Sequence, residues 1–468
     1  MSKCKVIAGV IILMASAVAY GTEIKLTEDC TWASLVPAVT DGAIVLTADA
    51  PCVVTVTADA VLPDTLDIGA NVSVKVAKGV AFRRARQADI PAVTIRAGGY
   101  LGFHSQTARL LTPIDLSITT GGSLDMNYDA SAATRSAFVA RTYYLDGAKQ
   151  GAGTKKTSAV AGAPIRSRDE NSAVFVPAWF WTGAAGDNVF ETAGNWLGGS
   201  APKTSDWSIY DSVDLSCAEG TITLSSANEF KVLGVFYLPA AAGSTLALAS
   251  SNGAKISVCG IGGDYGVQGV CGLGATLVYD VAYENLQSTS RKIYSGGGTW
   301  RFLKDCNLNN GTAYPLPSLD GAFEVGGTIQ KTNLTWGRIG DYPSSWRFVG
   351  GADVAVDNLG SEASGWTPGL GYTQDGGSVS TKYLCGSTAR WDGRGFLYEL
   401  NGGSLDVTTE LILGGAQKIA NVGSAVWPTG SFTMNGGTLT AKKVSNEFNS
   451  NYCRLLGGTA TIGTDGFV

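Results

Sequence analysis

A short motif punctuates this chain and limits its fold more than any other feature: Gly-Gly, then a Ser, Thr or similar residue, then an apolar one. It appears as Gly98-Gly99-Tyr100-Leu101, Gly121-Gly122-Ser123-Leu124, Gly297-Gly298-Thr299-Trp300 and Gly326-Gly327-Thr328-Ile329. It returns as Gly376-Gly377-Ser378-Val379, Gly402-Gly403-Ser404-Leu405, Gly436-Gly437-Thr438-Leu439 and Gly457-Gly458-Thr459-Ala460. The last four copies are separated by 26, 34 and 21 residues, mostly within the range of about 20 to 50 that marks stacked repeats. Glycine supplies a corner with positive φ that a Cβ would block. The apolar residue then turns inward, and the Ser or Thr faces out or stacks on its copy. A repeat of this kind cannot bury its apolar side alone, so it must stack on a neighbour.

Between the glycines, helical periodicity is nearly absent. Ala43-Ile44-Val45-Leu46-Thr47, Cys52-Val53-Val54-Thr55-Val56-Thr57, Val72-Ser73-Val74-Lys75-Val76 and Ala92-Val93-Thr94-Ile95-Arg96 are short, β-branched and alternating, which is the pattern of strands. The expected fold is all-β, a right-handed parallel β-helix (solenoid) in two units. The alternative is a set of antiparallel β-sandwich domains with glycine turns. Residues 22–145 form the N-terminal unit and 178–468 the C-terminal one. Residues 146–177 break the pattern: Lys149, Lys155, Lys156, Arg166 and Arg168 sit among Gly, Ala and Ser, which reads as a flexible connector.

Residues 1–21 read as a secretory signal. Lys3 and Lys5 precede the uncharged apolar run Val6 to Ala15, and Ala17-Val18-Ala19 supplies a small–x–small cleavage pattern. The run is too short for a span of about 20 residues, so a secreted or cell-surface protein without a transmembrane segment is expected. An exported chain can carry disulfides, and Cys30 with Cys52, and Cys259 with Cys271, are the candidate pairs. The bland reading is that these are small buried side chains. No Cys-x-x-Cys occurs, which removes zinc ribbons and thioredoxin-like chemistry.

Charge excludes further classes. Lys and Arg number 34 against 39 Asp and Glu, a net charge of −5, so no nucleic-acid footprint is expected. The single histidine, His104, reads as a surface or turn residue. Asp and Glu are scattered singly, as solvated turn residues would be, and no Asp-Asp pair is present. No metal or cofactor motif appears, and no catalytic residue is assigned. Arg83-Arg84-Ala85-Arg86 is the strongest basic spot, and reads as a solvated loop more readily than as a contact for an acidic polysaccharide or lipid headgroup.

After the connector comes Trp179-Phe180-Trp181-Thr182-Gly183, then Asp187-Asn188, Phe190, Asn195-Trp196, Gly198-Gly199 and Ala201-Pro202. This pattern resembles the opening motif of exported β-helical proteins of the autotransporter-passenger and surface-repeat type. Leu400-Asn401-Gly402-Gly403-Ser404-Leu405 and Met434-Asn435-Gly436-Gly437-Thr438-Leu439 look like their strand repeats, and Tyr143-Tyr144-Leu145-Asp146-Gly147 like a closing strand and turn. The resemblance implies a parallel β-helix and no chemistry. It does not extend to a C-terminal membrane barrel, so a lone passenger-like protein or a fragment is expected. The residues themselves point first to a packed loop, since indoles prefer burial with their N–H satisfied. The functional alternative is a sugar platform formed by Trp179, Trp181, Asp187, Asn195 and Trp196.

The functional expectation is a non-enzymatic, exported structural or adhesin-like protein. Its partner would be a polysaccharide or a cell-surface molecule. The alternatives are a carbohydrate-active β-helix enzyme (lyase or glycosidase) and a carbohydrate-binding module. The final residues still read as repeat sequence without a polar cap, which suggests a truncated chain or end-to-end self-association.

Overall fold

In the computed structural model, the residues described are 7–8, 22–35, 42–86, 89–104, 109–129, 137–168, 172–202, 212–232, 234–238, 243–258, 265–272, 274–285, 291–295, 297–307, 318–319, 322–326, 328–335, 344–360, 370–385, 397–412, 417–418, 425–426, 431–445 and 453–463. The chain is all-β, and its sheets are overwhelmingly parallel. Among the described strands the antiparallel pairs are local: Ile7–Ala8 with Thr22–Leu26, Ala137–Leu145 with Ala148–Lys149, Gly153–Lys156 with Ala173–Val176, and Gln417–Lys418 with Ala425–Val426. The antiparallel ladders of a sandwich are not what pairs these strands.

Three successive N-terminal repeats each send one strand to each of three sheets. Ala43–Ala48, Cys52–Val56 and Ala60–Val61 are followed by Thr65–Ile68, Val72–Val76 and Ala81–Arg83, then by Ala92–Ile95, Tyr100–Phe103 and Arg109–Leu111. Equivalent strands hydrogen-bond in parallel, so equivalent positions stack. Ile24, Leu46, Ile68, Ile95 and Ile118 form one buried column, and Val54, Val74, Leu101 and Leu124 another. Within a strand the faces alternate: Cys52, Val54 and Val56 are buried, whereas Val53 and Thr55 are partly exposed. Each fully buried Ile or Leu contributes roughly 1.5–3 kcal/mol, which is why the columns, not the turns, hold the stack.

The corner between the first two sheets takes positive φ in three successive layers. Asn71 provides it at φ 63, Gly98 at φ 77 and Gly121 at φ 92. Their backbones are linked, Asn71 N donating to Gly98 O at 3.2 Å and Gly98 N to Gly121 O at 3.0 Å. Asn is the side chain that tolerates this conformation best after glycine.

The C-terminal repeats begin the same way, with three strands apiece, as in Thr245–Ala249, Lys255–Val258 and Tyr265–Cys271. Past Leu319 the described strands, apart from the Gln417–Lys418 and Ala425–Val426 pair, fall into two long sheets. One runs through Ser344–Phe348, Leu370–Gln374, Leu397–Leu400 and Ser431–Met434, the other through Asp353–Gly360, Ser378–Cys385, Ser404–Ile412 and Thr438–Ala441. The last described strand, Thr459–Ile462, is largely exposed, as are Leu455 and Leu456 beside it.

The segment expected as a flexible connector is woven into the sheets. Ile165–Arg166 pairs in parallel with Ser123–Asp125, and Ala173–Val176 pairs with Ala137–Leu145 on one side and Gly153–Lys156 on the other. Its strands are two to four residues long, too short to leave a periodic signal.

Arg84 joins the two regions. It is 1 % exposed, donates to the Ser216 carbonyl and, at 2.8 Å, to Leu238 O, and reaches Cys217 Sγ at 3.3 Å. The basic triplet is therefore not one solvated loop: Arg83 pairs with Asp59, Arg86 with Asp89, and Arg84 is inside. Around it Val139, Phe175, Phe236, Leu238 and Val270 form a small shared apolar cluster.

Of residues 1–21 only Ile7–Ala8 are described, so the cleavage pattern lies outside the described residues. The Cys30–Cys52 bridge is not formed; both are thiols. Register is the reason, since Cys30 stands opposite Val54 and Cys52 opposite Val72. Cys271 is a buried thiol, and its candidate partner Cys259 lies outside the described residues. Among the described residues no helix is long and apolar enough to cross a membrane, and no group of three or more His, Cys, Asp or Glu could hold a metal.

Candidate ligand-binding site

The tryptophan-rich loop is a packed knot. Trp179, Trp181 and Trp196 are all buried, and Trp181 meets Trp196 edge to face at 5.0 Å and 87°. Phe190 packs on the Trp196 ring at 5.0 Å and on Phe230 at 4.9 Å. The Trp196 indole N–H donates to Phe190 O at 2.7 Å. Asp187 accepts hydrogen bonds from the Val189 N–H, the Thr192 hydroxyl and the Asn195 amide at 3.0, 2.7 and 2.6 Å. These bonds, the Val189 amide first, hold its pKa below the usual carboxylate value. Asn195 is fully buried, and its Oδ1 accepts from Ala185 N at 3.0 Å. Trp181 and Trp196 are thus perpendicular and all three indoles enclosed, where a sugar platform needs open faces, and the Asp and Asn groups are engaged in closing the loop.

The polar cavity lies elsewhere, on the outer face of the second N-terminal sheet. It has a volume of about 550 Å³ and is lined by Ser73, Lys75, Tyr100, Asp125 and Tyr128 from the sheet region and by Ala159, Arg166, Ser167 and Arg168 from the segment that follows. Register builds its floor. Lys75, Gly102, Asp125 and Arg166 stand side by side on consecutive strands, with Ser73, Tyr100 and Ser123 in the adjoining row. Because Gly102 has no side chain, the Tyr100 ring lies across it; a Cβ there would come within 2.5 Å of the ring. From this position the Tyr100 hydroxyl donates to Asp125 Oδ2 at 3.1 Å.

Asp125 is well supplied with partners. Its Oδ1 accepts the Asn127 N–H at 3.2 Å, and Arg166 Nε stands 3.8 Å from its Oδ2. Lys75 Nζ sits 5.7 Å above the Tyr128 ring. The Tyr128 hydroxyl donates to Val76 O at 3.4 Å, and His104 packs against its ring at 5.5 Å while pairing with Asp129 at 2.6 Å. His104 is accordingly a half-buried partner of Tyr128 and Asp129.

Burial, and next the Asp125 charge, raise the Tyr100 pKa far above its ordinary value; burial, then Asp129, raise that of Tyr128. Both phenols stay protonated near neutrality and are poor general bases. Among the described residues the lining contains one carboxylate, whereas glycoside hydrolysis by the usual route needs two about 5–9.5 Å apart. The arrangement sets cations beside an aromatic surface.

Sequence reasoning did not single out these residues. One signal was available: of the motif copies, Gly98-Gly99-Tyr100-Leu101 alone places an aromatic residue where the others carry Ser or Thr, and Gly102 follows it directly. The basic half of the lining comes from the segment that had looked like linker.

No protein family, no curated protein and no solved structure matches the chain.

Proposed function

We propose that the chain winds as a right-handed parallel β-helix in two units and serves as an exported, non-enzymatic structural or adhesin-like protein at or beyond the cell surface. The observation that carries this reading is the stacking of equivalent strands in register, one per sheet per repeat, over apolar columns. Such a stack is rigid, extends by adding repeats, and presents long, weakly charged outer faces suited to contact. The partner is a polysaccharide or another cell-surface molecule. The lysine-rich start and apolar run of residues 1–21 support export.

The test is to produce the full chain in a host able to export it and determine the N-terminus and shape of the product. Export predicts extracellular or surface-attached protein beginning near Thr22, and small-angle scattering of an elongated rod. Intracellular protein that keeps residues 1–21, or a globular scattering profile, overturns the proposal.

A further inference from the structure

We infer that the cavity over Tyr100 is a binding site for a carboxylated saccharide, with Lys75, Arg166 and Arg168 receiving the carboxylate and the Tyr100 ring supporting the sugar. This goes beyond the reading above, since it holds whether or not the chain is exported.

Four observations converge. The cavity, about 550 Å³, falls within the roughly 300–1,000 Å³ of small-ligand sites. Among the described residues its lining is net positive, three cations against one carboxylate, on a protein whose net charge is −5. That carboxylate, Asp125, is 5 % exposed and already engaged by Tyr100 OH and Asn127 N–H, so it repels an incoming anion weakly. Among the described residues Lys75 and Arg168 pair with no carboxylate. Their charges are available to a ligand.

The fourth observation selects the ligand class. One face of the Tyr100 ring covers Gly102, and the ring lines the cavity. A flat, immobilised ring held by its own hydroxyl bond is a surface for the C–H face of a pyranose, which the negative ring face attracts. Inorganic phosphate has no use for such a surface, whereas an acidic sugar uses the ring and the cations together.

The experiment is calorimetric titration of the full chain with a linear trisaccharide of galacturonate, its methyl ester, and inorganic phosphate, at low and high salt. The acid trisaccharide should bind, and esterification should weaken binding at least about tenfold, a difference of about 1.4 kcal/mol. High salt should weaken the acid and leave the ester unchanged. Lys75→Ala and Arg168→Ala should each weaken the acid severalfold. Gly102→Ala, which displaces the ring without touching a charge, should weaken acid and ester alike. Thermal melts of each variant separate lost binding from lost folding, and the ester and phosphate arms need no variant. Several outcomes overturn the inference: equal affinity for acid and ester, phosphate as tight as the trisaccharide, unchanged binding in folded Lys75→Ala and Arg168→Ala, or no heat at about 10 mM ligand.

Discussion

The two regions stack by one rule and fill their interiors differently. In the N-terminal repeats the buried column of the first sheet is aliphatic, Ile24, Leu46, Ile68, Ile95 and Ile118, and the aromatic rings of that core, Trp32, Phe82, Phe103 and Phe138, meet edge to face. In the later C-terminal repeats the matching column is aromatic: Tyr372, Tyr398 and Phe432 lie nearly parallel, with centroids 6.0 and 5.7 Å apart. Parallel strands are about 4.8 Å apart, so the rings are offset along the column, as aromatic pairs prefer. The aromatic interior also admits polar groups. Gln374 is fully buried, accepts the Tyr398 hydroxyl at 2.7 Å and donates to Ser404 O at 2.9 Å. An aliphatic column fixes spacing and little else; the aromatic column with its amide also fixes where the glycine turn sits.

The turns differ too. At Gly98-Gly99 the demands are divided: Gly98 takes φ +77 with no atom nearer its Cβ position than 3.6 Å, and Gly99 approaches Ile68 O, 2.5 Å from where its Cβ would be. At Gly403 both demands fall on one residue, φ +76 and a Cβ position 2.2 Å from Gly377 O. Gly403→Ala should therefore have the largest effect, about 3 kcal/mol or more, adding the left-handed penalty of about 1–2 to overpacking of about 1–3. Gly99→Ala, with the clash alone, should cost about 1–3 kcal/mol. Urea unfolding of the pair checks the contrast, and equal losses would break it.

The joint between the regions should respond to pH. Burial raises Asp214 to about 6, with the Ser216 bonds and the Arg84 and Arg141 charges pulling the other way. A carboxyl raised above its unfolded value favours the folded state most below about pH 4, and that contribution is lost as pH rises through about 6. A shift of this size corresponds to roughly 3 kcal/mol. Asp187, by contrast, is held low, so its contribution is present at neutral pH and lost on acidification. Asp214→Asn should accordingly melt higher relative to the parent at pH 7 than at pH 4. A constant difference between the two melts counts against the assignment.

A smaller contrast tests the columns directly. Tyr398→Phe removes the hydroxyl from Gln374 and leaves a buried amide oxygen short of a donor, at about 1–3 kcal/mol. Ile95→Val removes one methylene from the aliphatic column, at about 0.5–1.5 kcal/mol. Equal losses in guanidinium unfolding would mean that the buried amide adds nothing to the aromatic interior.

Local features were legible from the chain alone, and long-range ones were not. The glycine motif placed its apolar residue inward and its hydroxyl outward, as at Ser404 exposed and Leu405 buried, or Thr438 exposed and Leu439 buried. Asn71 escaped notice because it does the work of glycine under another name. The cavity escaped because it depends on register: Lys75, Gly102 and Asp125 are neighbours across strands more than 20 residues apart in sequence, and Arg166 reaches them through a two-residue strand. Arg84 looked like its neighbours Arg83 and Arg86, since nothing in a basic triplet says which member a distant carbonyl will claim. The tryptophan loop was readable as compact because its Asp, Asn and Gly residues accompany the indoles closely enough to bond among themselves.

The smallest expected effect tests whether a corner needs glycine or merely needs positive φ. At Gly98 a Cβ would meet Ala70 only at an ordinary contact distance of 3.6 Å, so Gly98→Ala should cost the left-handed penalty alone, about 1–2 kcal/mol. Gly98→Asn should cost less, because the layer beneath already holds Asn71 at φ 63, with its amide donating to Ala48 O and Asp49 O at 3.3 Å each. A new Asn in the next layer could bond to the corresponding carbonyls of its own neighbour. At Gly403 the ranking should vanish, since any Cβ meets Gly377 O before its side chain can form a bond. Melting temperatures of the Ala and Asn variants at the two sites decide the matter: Asn above Ala at residue 98 and no such order at 403 make the N-terminal corner conformational and the C-terminal one steric. The same order at both sites would mean that one kind of corner serves the whole chain.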